Sequence, residues 1–177
     1  MIKLIACDMD GTLLDSQKRL PADFPEVLAA LKEKGVLFAV ASGRQNAALR
    51  RDFEPYIEDV LFICENGALV MQRDERLLID PIDPRDLYRI VTSVKDLQGV
   101  YPVVCRAHVA LIEKTASPEF VRNTCMYYPS VQVVDDLTEY CNLGDVCKVA
   151  FYDEYDAQTH ELPELQRKLE PGLSVIL

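Results

Sequence analysis

The chain has 177 residues, 49% of them apolar, and 29 acidic side chains against 19 basic ones give a net charge of −10. That length suits one domain or two small ones, and the apolar share can fill a sizeable core. The acids are spread along the chain and Lys and Arg do not cluster, which argues against a nucleic-acid partner; an acidic protein still binds a small phosphate through a metal ion, backbone amides and one or two placed cations. No apolar run is long enough for a transmembrane helix. Residues Met1 to Ala6 are too short and too soon charged for a signal peptide, so the expected location is cytoplasmic, with no membrane partner.

In chain order, residues 2–7 form an apolar run that predicts a buried strand ending at Asp8. Residues 12–20 show no period and read as a loop. Phe24, Val27, Leu28 and Leu31 are spaced for a helix over 24–34, with Pro25 in its first turn and Gly35 after its end. Val36 to Ala41 predicts a second buried strand, Gln45 to Phe53 a helix, and Leu61 to Cys64 a third strand. Strand, helix, strand, helix, strand is the signature of a parallel sheet with crossover helices. Ala68–Met71 and Arg76–Ile79 flank the polar turn at 72–75 and read as a hairpin.

The turn-rich Asp80-Pro81-Ile82-Asp83-Pro84 is the best domain boundary in the chain. Beyond it, Leu87, Ile90, Val91, Val94 and Leu97 predict a helix that Asp83 caps and Gly99 ends. Strands are expected at 101–106, 109–113, 131–134 and 146–152, and helices at 117–127 and 159–169. The expected organisation is therefore an α/β parallel-sheet part over 1–82 and a smaller α+β domain with a two-layer core over 83–177. The six cysteines, at 7, 64, 105, 125, 141 and 147, show no Cys-x-x-Cys pair and read as reduced, buried thiols. His108 and His160 read as surface or strand-edge residues. Tyr127, Tyr128 and Tyr152 read first as core packing and second as lining of a pocket.

The chemistry is concentrated at Asp8-Met9-Asp10-Gly11-Thr12. Residues i and i+2 of an extended segment point the same way, so both carboxylates can face one pocket. Two neighbouring carboxylates push their proton affinities apart, so that one can attack phosphorus while the other handles the proton. Gly11 permits a sharp turn and the Thr12 hydroxyl can tie it. Taken alone, an Asp-x-Asp is more often a plain acidic turn. Asp-Met-Asp-Gly-Thr-Leu-Leu after an N-terminal apolar strand, however, resembles the first motif of the haloacid dehalogenase (HAD) superfamily. The resemblance implies a Rossmann-like core, Asp8 as nucleophile and Asp10 as general acid/base. It further implies Mg²⁺ as the cofactor, bound by the Asp8 carboxylate and the Asp10 backbone carbonyl.

Ala41-Ser42-Gly43-Arg44 resembles the second motif. A hydroxyl and amides at a helix start suit a phosphate, which makes Ser42, Gly43 and Arg44 substrate-phosphate candidates; Arg44 reads equally well as a solvated residue. Glu65-Asn66-Gly67-Ala68 resembles the Asn-Gly-Ala loop of the Cof-like subgroup, which adds Asn66 as a candidate, with Glu65 expected in solvent. In that subgroup a type IIB α/β cap follows the third strand, and 83–177 has its position and makeup. The function implied is hydrolysis of a small phosphorylated metabolite, a sugar phosphate or a phosphorylated cofactor, through an aspartyl-phosphate. A mutase-like phosphotransferase and a non-catalytic phosphate-binding protein are the alternatives.

The superfamily also carries, after the cap, a Lys motif and a Gly-Asp-x-x-x-Asp type segment. Gly144-Asp145 runs into an apolar strand and Lys148 lies within that strand, so neither fits. The expectation is a core incomplete at its C-terminal side, with weak catalysis by the 177-residue chain alone. An apolar sheet edge would then be left uncovered, prone to self-association.

Overall fold

Two sheets organise the protein, a five-stranded one in the order β1-β2-β3-β4-β5 and a four-stranded one in the order β8-β7-β6-β9. The computed structural model describes residues 1–169, 173 and 175–177. Two compact units divide at Asp80, Met1–Asp80 and Pro81–Leu177.

In the first unit, β1 (Leu4–Asp8), β2 (Leu37–Ala41) and β3 (Val60–Cys64) run parallel. Each is short and rich in apolar residues, as strands of a parallel sheet are. The crossovers carry α1 (Phe24–Glu33) and α2 (Asn46–Asp52). Gly35, at φ +64, turns the chain out of α1 in a conformation that suits glycine. Phe24 meets Phe38, Phe53 and Tyr56 edge to face at 5.1–5.9 Å, and Phe53 meets Phe62, tying both crossovers onto the sheet. The expected hairpin is β4 (Leu69–Gln72) and β5 (Glu75–Ile79), with Arg73 at φ +53 in its two-residue turn. It extends the same sheet, β4 pairing antiparallel with β3.

One expectation fails here. β1 is not buried: Leu4 is 49% and Ile5 38% exposed, because β1 pairs only with β2 among the described residues. Its apolar side chains stand on an open sheet edge.

In the second unit, α3 (Pro84–Thr92) is capped by the Asp83 carboxylate, which accepts from the Arg85 amide at 2.8 Å. It ends at Thr92 rather than near Leu97. Ser93 folds back, its hydroxyl donating to the Ile90 carbonyl at 2.6 Å, and turns carry the chain on to Gly99. Val94 is nonetheless buried, so the apolar spacing that predicts a longer helix here reports core contact rather than helix. β6 (Val100–Arg106), β7 (Ala110–Glu113), β8 (Val131–Val134) and β9 (Val146–Asp153) form the sheet. Alternation sorts their side chains: Val104, Leu111 and Val146 pack against α3, while Val103, Cys105, Ala110 and Ile112 pack against Phe120 of α4 (Pro118–Tyr127). α5 (Glu161–Leu169) joins α3 through Leu165 and Leu169. The sheet is thus covered on both faces, three layers instead of the expected two.

The cysteines are free thiols. Cys64, Cys105, Cys141 and Cys147 are buried, Cys7 is half-buried, and Cys125 departs from expectation on the exposed side of α4. Tyr128 and Tyr152 pack on the Phe120 cluster, whereas Tyr127 is exposed. Among the described residues no helix is long and apolar enough to cross a membrane.

Candidate active site

Register places the functional loops together. Asp8 pairs with Ala41, and Ala41 with Ile63, so the C-terminal ends of β1, β2 and β3 are level. The loops that follow, from Met9, Ser42 and Glu65, leave the same edge of the sheet, where open α/β sheets bind ligands.

After β1 the chain makes a wide turn over Met9–Leu13, closed by the Leu14 amide on the Met9 carbonyl at 2.9 Å. Met9 is fully buried between exposed Asp8 and Asp10. This inside–outside alternation fixes both carboxylates on the outer side of one anchored residue. Gly11 sits at φ +80, where a side chain would be strained. Asp8 makes no side-chain hydrogen bond or ion pair among the described residues, so its carboxylate oxygens are open.

Asp10 is held from two sides. Lys18 Nζ lies 2.7 Å from Oδ1, and Arg44 donates from Nη2 to Oδ1 at 2.7 Å and from Nε to Oδ2 at 3.1 Å. The Lys18 hydrogen bond first, and the Arg44 guanidinium with it, hold the Asp10 carboxyl below the usual carboxylate range.

The second and third loops interlock. The Ser42 amide donates to Ile63 O at 2.9 Å, the Asn66 amide to Ser42 O at 3.2 Å, and the Glu65 amide to Arg44 O at 3.2 Å. The Asn66 Oδ1 occupies the space that a Cβ on residue 43 would need, so the glycine there admits the Asn66 side chain. Asn66 has φ +59, a conformation Asn tolerates better than most residues. Ser42 Oγ accepts the Arg44 amide at 3.2 Å, so that amide is engaged within the loop. α2 starts only at Asn46, and the loop itself rather than a helix start presents Ser42 and Gly43. The four phosphate candidates Ser42, Gly43, Arg44 and Asn66 therefore form one hydrogen-bonded group. Glu65 was expected in solvent, but it is 2% exposed; its φ of +50 turns the side chain inward beneath the loop.

Two neighbours are not evident in the sequence, Lys18 and Asp52. Lys18 lies in the periodless loop at φ +61. Asp52 ends α2 and takes Arg44 Nη1 at 3.0 Å. An acid in the last turn opposes the helix dipole, and that mismatch was its one available signal.

The donor chemistry suits Mg²⁺, which binds through one or two carboxylates and completes its shell with water and substrate phosphate. Asp8 offers an open carboxylate and the adjoining turn a backbone carbonyl at Asp10, both hard oxygen donors. Among the described residues no three His, Cys, Asp or Glu side chains gather as a metal site, so these supply part of a shell. Asp145 is committed elsewhere, bridged by Arg106 at 2.8 and 2.9 Å, and Lys148 stands over the Tyr128 ring at 6.0 Å.

Comparisons with known proteins point to one family. The profile of the haloacid dehalogenase-like hydrolases matches residues 5–174. The 5-amino-6-(5-phospho-D-ribitylamino)uracil phosphatase YbjI of Escherichia coli is 27% identical over 177 residues, spanning 99% of this chain and 63% of that protein. The pyridoxal phosphate phosphatase YbhA of the same organism is 27% identical over 95 residues, 54% of this chain and 35% of that one. A crystal structure from Eubacterium rectale superposes with a TM-score of 0.81 at 27% identity, covering 94% of this chain and 63% of the other. The HAD subclass IIB sugar phosphatase BT4131 shares the fold, with a TM-score of 0.66 at 19% identity over 96% of this chain and 64% of its own. The chain thus spans less than two thirds of the length of these relatives, and it belongs to the haloacid dehalogenase-like hydrolase family.

Proposed function

We propose that this protein is a Mg²⁺-dependent phosphatase that hydrolyses a small phosphorylated metabolite through an aspartyl-phosphate on Asp8. The carrying observation is the pairing of an open carboxylate at Asp8 with a cation-held carboxylate at Asp10, at the same sheet edge as the Ser42–Arg44 loop and Asn66.

A carboxylate oxygen of Asp8 attacks phosphorus, and the bond to the leaving oxygen breaks as Asp10, in the protonated form it reaches once the negative charge of the bound phosphate offsets the Lys18 and Arg44 cations, gives that oxygen a proton. Asp10, now ionised, takes a proton from water as the water attacks the phosphorus of the aspartyl-phosphate, which frees Asp8 and inorganic phosphate. The Ser42 hydroxyl, the Gly43 backbone, the outward N–H groups of Arg44 and the Asn66 side chain hold the phosphoryl oxygens. Mg²⁺, held by the Asp8 carboxylate and the Asp10 carbonyl, would supply charge neutralisation at the phosphate.

The substrate class is a sugar phosphate or a phosphorylated cofactor, in keeping with what the named relatives act on. Residues 83–177 serve as the cap that selects it and 1–82 as the catalytic part, in the cytoplasm, with no nucleic-acid or membrane partner. The exposed β1 edge is a route to self-association. A panel of phosphate esters tested on the protein with and without Mg²⁺ decides the matter. Metal-dependent phosphate release that disappears in Asp8→Asn is expected; release that persists in that variant contradicts the proposal.

A further inference from the structure

Asp52 is the last residue of α2, where its charge opposes the helix dipole. Cations compensate it: Arg44 Nη1 donates to Oδ2 at 3.0 Å and Arg51 Nε to Oδ1 at 3.0 Å. Arg44 turns its other edge to Asp10, through Nε at 3.1 Å and Nη2 at 2.7 Å. One guanidinium therefore lies between two carboxylates contributed by different loops. Three of its five N–H groups are engaged, leaving two for a phosphate. The group is planar and rigid, so fixing the edge at Asp52 fixes the edge at Asp10. Lys18, the other cation on Asp10, is a single ammonium on a flexible and largely exposed stem, which attracts the carboxylate without setting its plane.

We infer that Asp52 is a positioning residue: through Arg44 it sets the orientation of the Asp10 carboxyl toward the leaving oxygen. The inference rests on the proposed role of Asp10 as general acid/base. A general acid matters most when the leaving group is a poor one. An alkyl phosphate releases a strongly basic alkoxide and needs the proton, whereas p-nitrophenolate departs without it. Tilting Asp10 should therefore slow the two esters unequally, while a loss of folded protein would slow both alike.

Asp52→Asn and Asp52→Glu test this by two readouts. In the 177-residue chain, the Nε–Hε NMR signal of Arg44 should be slow to exchange in the parent and in Asp52→Glu, and should lose that protection in Asp52→Asn. In turnover assays, Asp52→Asn should lower kcat/KM for an alkyl phosphate, which reports the step that cleaves the ester, about tenfold, a fraction of the effect of losing the general acid outright. It should leave kcat/KM for p-nitrophenyl phosphate within about twofold, and Asp52→Glu should restore most of the loss. Retained protection of Arg44 in Asp52→Asn, or an equal loss of kcat/KM on both esters, would each overturn the inference. Asp8→Asn separates the two levels. Turnover that survives it defeats the phosphatase reading and with it the catalytic part of the inference, and the NMR result then decides only whether Asp52 holds the Arg44 Nε edge against Asp10.

Discussion

Glu161 offers a stability test that the structure makes quantitative. It is the first residue of α5, 6% exposed, and its Oε2 has no hydrogen-bond partner among the described residues. Burial, with the charge of Asp153 next, pushes its pKa from 4.5 up to about 7, against a smaller opposing effect of His160. The folded state thus keeps this proton to about pH 7, while the unfolded chain releases it near 4.5. The full benefit is present below 4.5 and is lost as pH rises through 7, so Glu161 makes the fold less stable in base. At about 1.4 kcal/mol per pKa unit, the cost of the ionised side chain is about 1 kcal/mol at pH 5 and about 3 kcal/mol at pH 8. Glu161→Gln removes the titration. Its own constant cost of burying an amide cancels when two pH values are compared. Urea unfolding followed by tyrosine fluorescence is the assay, since seven of the eight tyrosines lie at position 88 or beyond. The variant should gain about 2 kcal/mol relative to the parent between pH 5 and pH 8. An identical stability difference at both values would refute the reasoning.

Other outcomes follow from packing and close approach. Phe120 is fully buried between Tyr101, stacked at 5.0 Å, and Tyr152 at 5.6 Å, so Phe120→Ala should cost about 3–5 kcal/mol in urea unfolding of the second unit. Asp145→Ala leaves the half-buried Arg106 without its two-pronged partner and should cost about 1–3 kcal/mol by the same measurement. Gly43→Ala should barely change stability, because the added Cβ meets only the movable end of Asn66. By displacing that end it should weaken binding of inorganic phosphate about tenfold in calorimetry, the worth of one hydrogen bond to a charged group.

Much of the fold was legible because local signals agreed with tertiary need. The alternation of apolar strands with capped, glycine-ended helices places β1, α1, β2, α2 and β3, and the two-residue turn at Arg73 places the hairpin. The misreadings have physical causes. Apolar content alone marks β1 as buried, yet burial depends on what pairs with the other side of the strand. Val94 and Leu97 keep helical spacing after Ser93 has ended the helix, because turns also deliver side chains to a core. Alternation in β6 and β7 hides a second covered face, since Cys105 and Ala110 are small and give a weak apolar signal. At the candidate site, Asp8, Asp10, Ser42, Gly43, Arg44 and Asn66 are readable from motif spacing. Lys18 and Asp52 are not, because their partners are distant in sequence and only the folded loops bring the charges together. Glu65 reads as a surface acid until its left-handed backbone turns it inward.

The most direct test of the proposed chemistry is to catch the phosphoryl group on the chain. A ³²P-labelled phosphate ester, quenched with acid during turnover by the protein in Mg²⁺, should leave label on the tryptic peptide Leu4–Lys18. That label should be absent in Asp8→Asn. Label on another peptide, or turnover that continues in Asp8→Asn, would contradict Asp8 as the nucleophile.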